Sequence, residues 1–134
     1  MKRSEVREAT FKILFGQQFH SVEDVEQQCE LFFDEKENAP NIFEKQKTYI
    51  ISKVKDIVEK SEELDNKINE VTVGWNTKTI GKVELIILRL AIFELDYEDD
   101  IPSKVTIDEA VELAKKYGED TSPKFINGIL AKLV

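Results

Sequence analysis

The stretch VELIILRLAIFEL, from Val83 to Leu95, decides the fold: ten of its thirteen residues are apolar, and the three exceptions, Glu84, Arg89 and Glu94, stand five apart. At about 100° per residue, that spacing scatters the charges around a helix axis instead of gathering them on one side. A helix without a polar face packs on most sides, so the segment predicts a central apolar helix at the hub of the core. It falls well short of the ~20 apolar residues needed to cross a bilayer.

Working outward toward the N-terminus, Leu64, Ile68 and Val71 predict a short helix over Ser61–Val71. Tyr49, Ile50, Val54, Ile57 and Val58 predict a longer one from about Phe43 to Lys60, nearly continuous with it. A polar loop, DEKENAPN, precedes these. Before it, SVEDVEQQCELFF has the look of a capping box at Ser21, followed by a stripe of Val22, Val25, Cys29 and Phe32/Phe33. The first helix is expected over about residues 4–17, with Ser4 as N-cap and Val6, Thr10, Ile13, Leu14 and Gln17 on one side.

Toward the C-terminus, DYEDDIPSKV is a turn-rich acidic connection in which Pro102 halts any helix. TIDEAVELAKKYG then reads as an amphipathic helix, acidic in its first turn, with Lys115 and Lys116 in its last and Gly118 at a left-handed C′ position. In EDTSPKFINGILAKLV, Ser122 is the expected N-cap, Pro123 the first helical residue, and Ile126, Ile129, Leu130 and Leu133 the buried stripe. Gly128, inside that helix, predicts the close approach of another element. With five glycines, three prolines and no sustained alternation, the fold class is all-α, about seven helices. The chain reads as a single helical domain, 1–134, with subdomains of roughly 1–75 and 76–134. The loop near 34–42 is a second place where it could divide.

Composition narrows the function by exclusion. A chain of 134 residues, 41% hydrophobic and 34% charged, suits one soluble domain. One cysteine, Cys29, rules out an internal disulfide, and no continuous apolar run at the N-terminus suggests a secretory signal, so a cytoplasmic location is expected. There is one histidine, His20, no glycine-rich phosphate loop, and no Cys or His pair at metal-ligand spacing. No catalytic residue, metal or cofactor is therefore expected, and the protein does not read as an enzyme. Arg89, inside the apolar helix, has to be met by carboxylates or helix-end carbonyls, and is read as a structural ion pair tying this helix to a neighbour rather than as a ligand contact.

Charge is unevenly spread. Lys2, Arg3, Arg7 and Lys12 face only Glu5 and Glu8 in the first twelve residues, while the whole chain stands at −8. Cations at a helix N-terminus oppose the helix dipole, so local helix stability does not account for them.

Four segments together resemble the NusB family of bacterial transcription antitermination factors: KRSEVREATFKILFGQ, LDNKINEVTVGW, VELIILRLAIFEL and IPSKVTIDEAVELAKKYGEDTSPKFINGILAKL. The last is the most specific, and the four span nearly the whole chain. The resemblance implies an all-α fold of two small helical bundles and no catalytic role. It also implies binding to the single-stranded boxA element of nascent RNA with NusE, a small-subunit ribosomal protein, and action on the RNA polymerase elongation complex with other Nus factors. Position by position, it assigns RNA contacts to Lys2, Arg3 and Arg7, and near the C-terminus to Tyr117, Asp120 and Lys124. It assigns partner binding to Glu84. Ser4 and Glu5 stand where many relatives carry Arg or Lys, and Thr79 replaces an Arg frequent after the Trp. Some relatives self-associate, so a homodimer is also in keeping with the resemblance. Two other functions fit the same pattern: a protein-interaction module, or an accessory domain of an RNA methyltransferase, neither binding RNA on its own. The absence of a catalytic module before Val134 speaks against the second.

Overall fold

The computed structural model describes residues 1–134 as seven α-helices with no strand. They are α1 (Arg3–Gln17), α2 (Val25–Asp34), α3 (Glu44–Glu59), α4 (Ser61–Val71), α5 (Lys82–Tyr97), α6 (Ser103–Tyr117) and α7 (Ser122–Ala131). Short 3₁₀ turns at Val22–Asp24 and Lys36–Asn38 flank α2. The chain divides into two compact units, Met1–Lys60 and Ser61–Val134, with α4 in the second.

In the first unit, α1 packs on α2 and α3. The predicted side of α1, Val6, Thr10, Ile13, Leu14 and Gln17, is buried, together with Ala9 and Phe11. On α3, Ile50, Val54 and Ile57 are buried, and so is Lys53, whose ammonium donates to the Tyr49 hydroxyl at 3.0 Å. The α2 stripe is thinner than expected: Cys29 alone is buried, and burial pushes its thiol up to about 11.

In the second unit, α5 is the hub, packed on α4, α6 and α7. Nine core positions, interrupted only by Arg89, show why its pattern had no polar face: Leu85 to Leu88 and Leu90 to Glu94 are all buried. Glu94 is 1% exposed and accepts from the Thr106 hydroxyl of α6 at 2.9 Å. Arg89 meets Asp65 of α4 in a two-pronged pair, Nε to Oδ1 and Nη2 to Oδ2, both at 2.7 Å. Lys67 to Asp96 and the Tyr97 hydroxyl to Glu63 add further links between α4 and α5.

Several helix ends differ from expectation, each for a local reason. Lys2, not Ser4, is the N-cap of α1, because the Glu5 carboxylate takes the Lys2 backbone N–H at 2.8 Å and starts the helix one residue earlier. Ser21 caps the 3₁₀ turn through the Glu23 N–H, so α2 begins only at Val25. The first turn of α6 contains no acid, because the helix begins at Ser103, behind the Pro102 cap, and Asp108 and Glu109 fall in its second turn. Gly118 is extended, with φ −94° and ψ −163°, rather than left-handed. Thr121 replaces Ser122 as N-cap of α7, because the Ser122 hydroxyl turns back to accept the Glu119 N–H at 2.9 Å. A side chain at Gly128 would meet nothing within 4 Å, so close packing does not explain that glycine.

Candidate nucleic-acid interface

In the first unit the basic start is a fixed feature. Gln46 at the start of α3 accepts from the Met1 ammonium at 3.3 Å and from the Phe43 N–H at 3.1 Å, and donates to the Met1 carbonyl at 2.8 Å. The Met1 ammonium also reaches the Asn41 carbonyl at 3.3 Å. Lys2 and Arg3 are exposed just beyond this clamp, and Arg7, half-buried, follows Arg3 by one helical turn and shares its side of α1. Glu5 lies in the same turn, and its carboxylate accepts the Lys2 N–H. The clamp residue Gln46 carries no sequence signal, because it pairs with residues some 45 positions away. His20 is exposed beyond the end of α1.

In the second unit the turn from Tyr117 to Lys124 is built from backbone and one serine. Gly118 N–H bonds the Ala114 carbonyl at 2.9 Å, and Ser122 N–H bonds the Glu119 carbonyl at 3.0 Å. The Ser122 side chain is buried against Gly118, where an added Cβ would lie 2.7 Å from both Ser122 Cβ and Oγ. Gly118 is thus a matter of space rather than of handedness. The turn holds Asp120 and Lys124 out to solvent and Tyr117 half-buried, with the Lys116 ammonium 5.5 Å from the Tyr117 ring centroid. Such a turn offers an aromatic ring for a base, a cation for a phosphate, and a carboxylate able to accept a base amino group but not to meet a phosphate.

Glu84 is the third residue of α5, and its carboxylate folds back against Gly81, which leaves room because it has no side chain. A carboxylate at this place is favoured by the helix N-terminus, so any partner that recruits it competes with that local field. No group of three or more His, Cys, Asp or Glu residues could hold a metal ion, and no helix is long and apolar enough to cross a membrane.

Comparison with known proteins places the chain in a family. Residues 4–134 match the NusB family. The chain is 48% identical to the transcription antitermination protein NusB of Agathobacter rectalis over 132 residues, 98% of each protein. It is 43% identical to that of Lachnoclostridium phytofermentans over 134 residues, 100% of this chain and 99% of the relative. Among solved structures, NusB of T. maritima shares 37% identity and superposes with a TM-score of 0.87, over 99% of this chain and 90% of that one. A crystal structure of the antitermination factors NusB and NusE in complex with dsRNA matches at 25% identity and TM-score 0.79, over 98% of this chain and 94% of that one.

Proposed function

Since the chain belongs to the NusB family, we propose that it is a transcription antitermination factor that binds the single-stranded boxA element of nascent RNA together with NusE and acts with other Nus factors on elongating RNA polymerase. The observation that carries this reading is the end-to-end likeness to NusB proteins, including one solved with NusE and dsRNA. It works in the cytoplasm and has no catalytic role.

Each unit supplies its own contacts. In the first, Lys2, Arg3 and Arg7 neutralise backbone phosphates, and the Gln46 clamp lowers the entropy lost when they do so. In the second, Tyr117 stacks on a base, Lys124 meets a phosphate, and Asp120 accepts from a base edge. Glu84 engages NusE, which supplies positive charge that a protein at −8 lacks.

The test is a gel-shift titration of boxA-like single-stranded RNA, with and without NusE from the same organism. Preference for boxA over a scrambled sequence, strengthened by NusE, is expected. No sequence preference even with NusE present would overturn the reading. Arg3→Ala/Arg7→Ala should weaken binding while leaving the thermal midpoint within about 3 °C of the parent, an effect typical of surface substitutions.

A further inference from the structure

The second unit hides a charge asymmetry of its own. Between Val71 and Val83 stand Lys78 and Lys82 and no acid; between Thr121 and Val134 stand Lys124 and Lys132 and no Asp or Glu. The rest of Ser61–Val134 carries five Lys or Arg against fifteen Asp or Glu. The fold brings the two acid-free stretches together: the Trp75 ring meets the Phe125 ring at 5.9 Å and 69°, and the Lys132 ammonium donates to the Val71 carbonyl at 3.1 Å.

We propose that this junction is a second single-stranded RNA platform, in which Trp75 stacks on a base while Lys78 and Lys124 hold phosphates on either side. It rests on the RNA-binding reading above and extends that track beyond the Tyr117–Lys124 turn, because Phe125 is the residue next to Lys124. Trp75 is 53% exposed, and an edge-to-face pair with Phe125 occupies at most one face of its indole.

The loop that carries Trp75 is preorganised. Thr72 Oγ1 donates to the Trp75 carbonyl at 2.8 Å, and the Thr77 N–H bonds Asn69 Oδ1 at 3.0 Å. The Asn76 N–H bonds Thr79 Oγ1 at 3.0 Å, and the Lys78 N–H bonds Asn76 Oδ1 at 2.8 Å. Gly74 supplies the left-handed residue of the turn, at φ +78°. An exposed indole held this firmly loses little freedom when a base covers it. Lysines and a single aromatic are the recipe for a strand-binding surface, whereas the centre of a protein-docking patch is depleted of lysine.

Trp75 is the sole tryptophan, so its fluorescence reports on this surface alone. The experiment titrates the full chain, with and without NusE, with labelled boxA-like RNA, reading anisotropy of the RNA and emission of Trp75 together. Saturable quenching with the same midpoint as the anisotropy is expected. Trp75→Ala should bind RNA roughly 5- to 150-fold more weakly, the range for losing one stacked base, with Trp75→Phe intermediate. Lys78→Glu should also weaken binding and melt like the parent, since Lys78 is exposed, while Trp75→Phe keeps a ring beside Phe125 and so separates lost stacking from the packing that Trp75→Ala also removes. RNA binding that Arg3→Ala/Arg7→Ala weakens but Trp75→Ala and Lys78→Glu leave unchanged overturns the platform and spares the general reading. Absence of RNA binding in every arm overturns both. Quenching by NusE without RNA, with NusE binding lost in Trp75→Ala, identifies a protein-docking face and overturns the platform as well.

Discussion

Gly118→Ala should destabilise the protein even though its backbone conformation suits alanine. The φ of −94° lies in ordinary extended space, so the cost is purely one of room. The new Cβ would stand 2.7 Å from Ser122 Cβ and Oγ and 2.8 Å from the Ala114 carbonyl oxygen. The carbonyl belongs to the last turns of α6 and accepts the Gly118 N–H, so it cannot retreat without loosening that bond. Overpacking of this kind costs about 1–3 kcal/mol, partly offset by about 0.4–1 kcal/mol from the stiffer unfolded chain. A net loss of about 1–2 kcal/mol corresponds to a fall in thermal midpoint of about 4–7 °C, taking an unfolding entropy of about 2.1 cal/mol/K for each of 134 residues. Circular dichroism at the helical minimum reads the melt, and Gly128→Ala is the internal control. That glycine is exposed inside α7 with open space around it, so alanine there should raise the midpoint by about 2–4 °C. A Gly118→Ala protein as stable as the parent would refute the steric account, since the turn would then be free to relax. RNA affinity gives a second reading, because the same turn carries Asp120 and Lys124.

Arg89→Met should cost about 3–5 kcal/mol in urea unfolding, because it strands Asp65 about four-fifths buried; Arg89→Met/Asp65→Leu should recover much of that loss. The Cys29 thiol, held near 11 by burial, should resist a thiol reagent at pH 8 and react at a rate set by local or global opening. Its raised folded value also means that its contribution to stability is complete below about pH 9 and declines as pH rises toward about 11, where the unfolded chain alone ionises. A Cys29→Ala protein should show a shallower decline over that interval in urea titrations. Glu84→Lys should abolish NusE capture in a pull-down while leaving RNA binding by the isolated chain unchanged; unaltered capture would remove Glu84 from the partner surface.

What could be read in the sequence was whatever repeats or conflicts. The α5 hub was legible because thirteen residues without a polar face permit one packing role. The Arg89 partnership was legible because a charge in such a helix has to be met. Lys53 was not, since helical spacing treats lysine as a surface residue and gives no hint that a tyrosine hydroxyl one turn away would receive it. Cap chemistry was legible by residue type and misplaced by position. Ser4 gives way to Lys2 and Ser122 to Thr121 as N-caps, because a carboxylate or hydroxyl can satisfy an N–H on either side of it: Glu5 takes the Lys2 N–H and Ser122 the Glu119 N–H. The Gln46–Met1 clamp and the Trp75–Phe125 junction join distant residues and leave no local trace. They hold the basic start of α1 and the Trp75 loop in place, and no periodicity or composition could have pointed to them.

A net charge of −8 opposes RNA at long range, but screening limits each charge to about 10 Å at 0.1 M salt, so local groups decide. The number of phosphates met is measurable as a salt slope of about −0.7 for each single-strand contact. Lys2, Arg3, Arg7 and Lys124 predict a slope near −2.8, or roughly 50-fold weaker binding between 50 and 200 mM salt; adding Lys78 predicts about −3.5, or roughly 130-fold. Anisotropy titrations of the isolated chain across that range separate the two numbers, and Lys78→Glu should bring the steeper slope back to the shallower one. NusE adds contacts of its own and should steepen both. A slope near zero with affinity intact would mean that stacking and base-edge bonds alone hold the strand, which would refute the assignment of these lysines and arginines to phosphates.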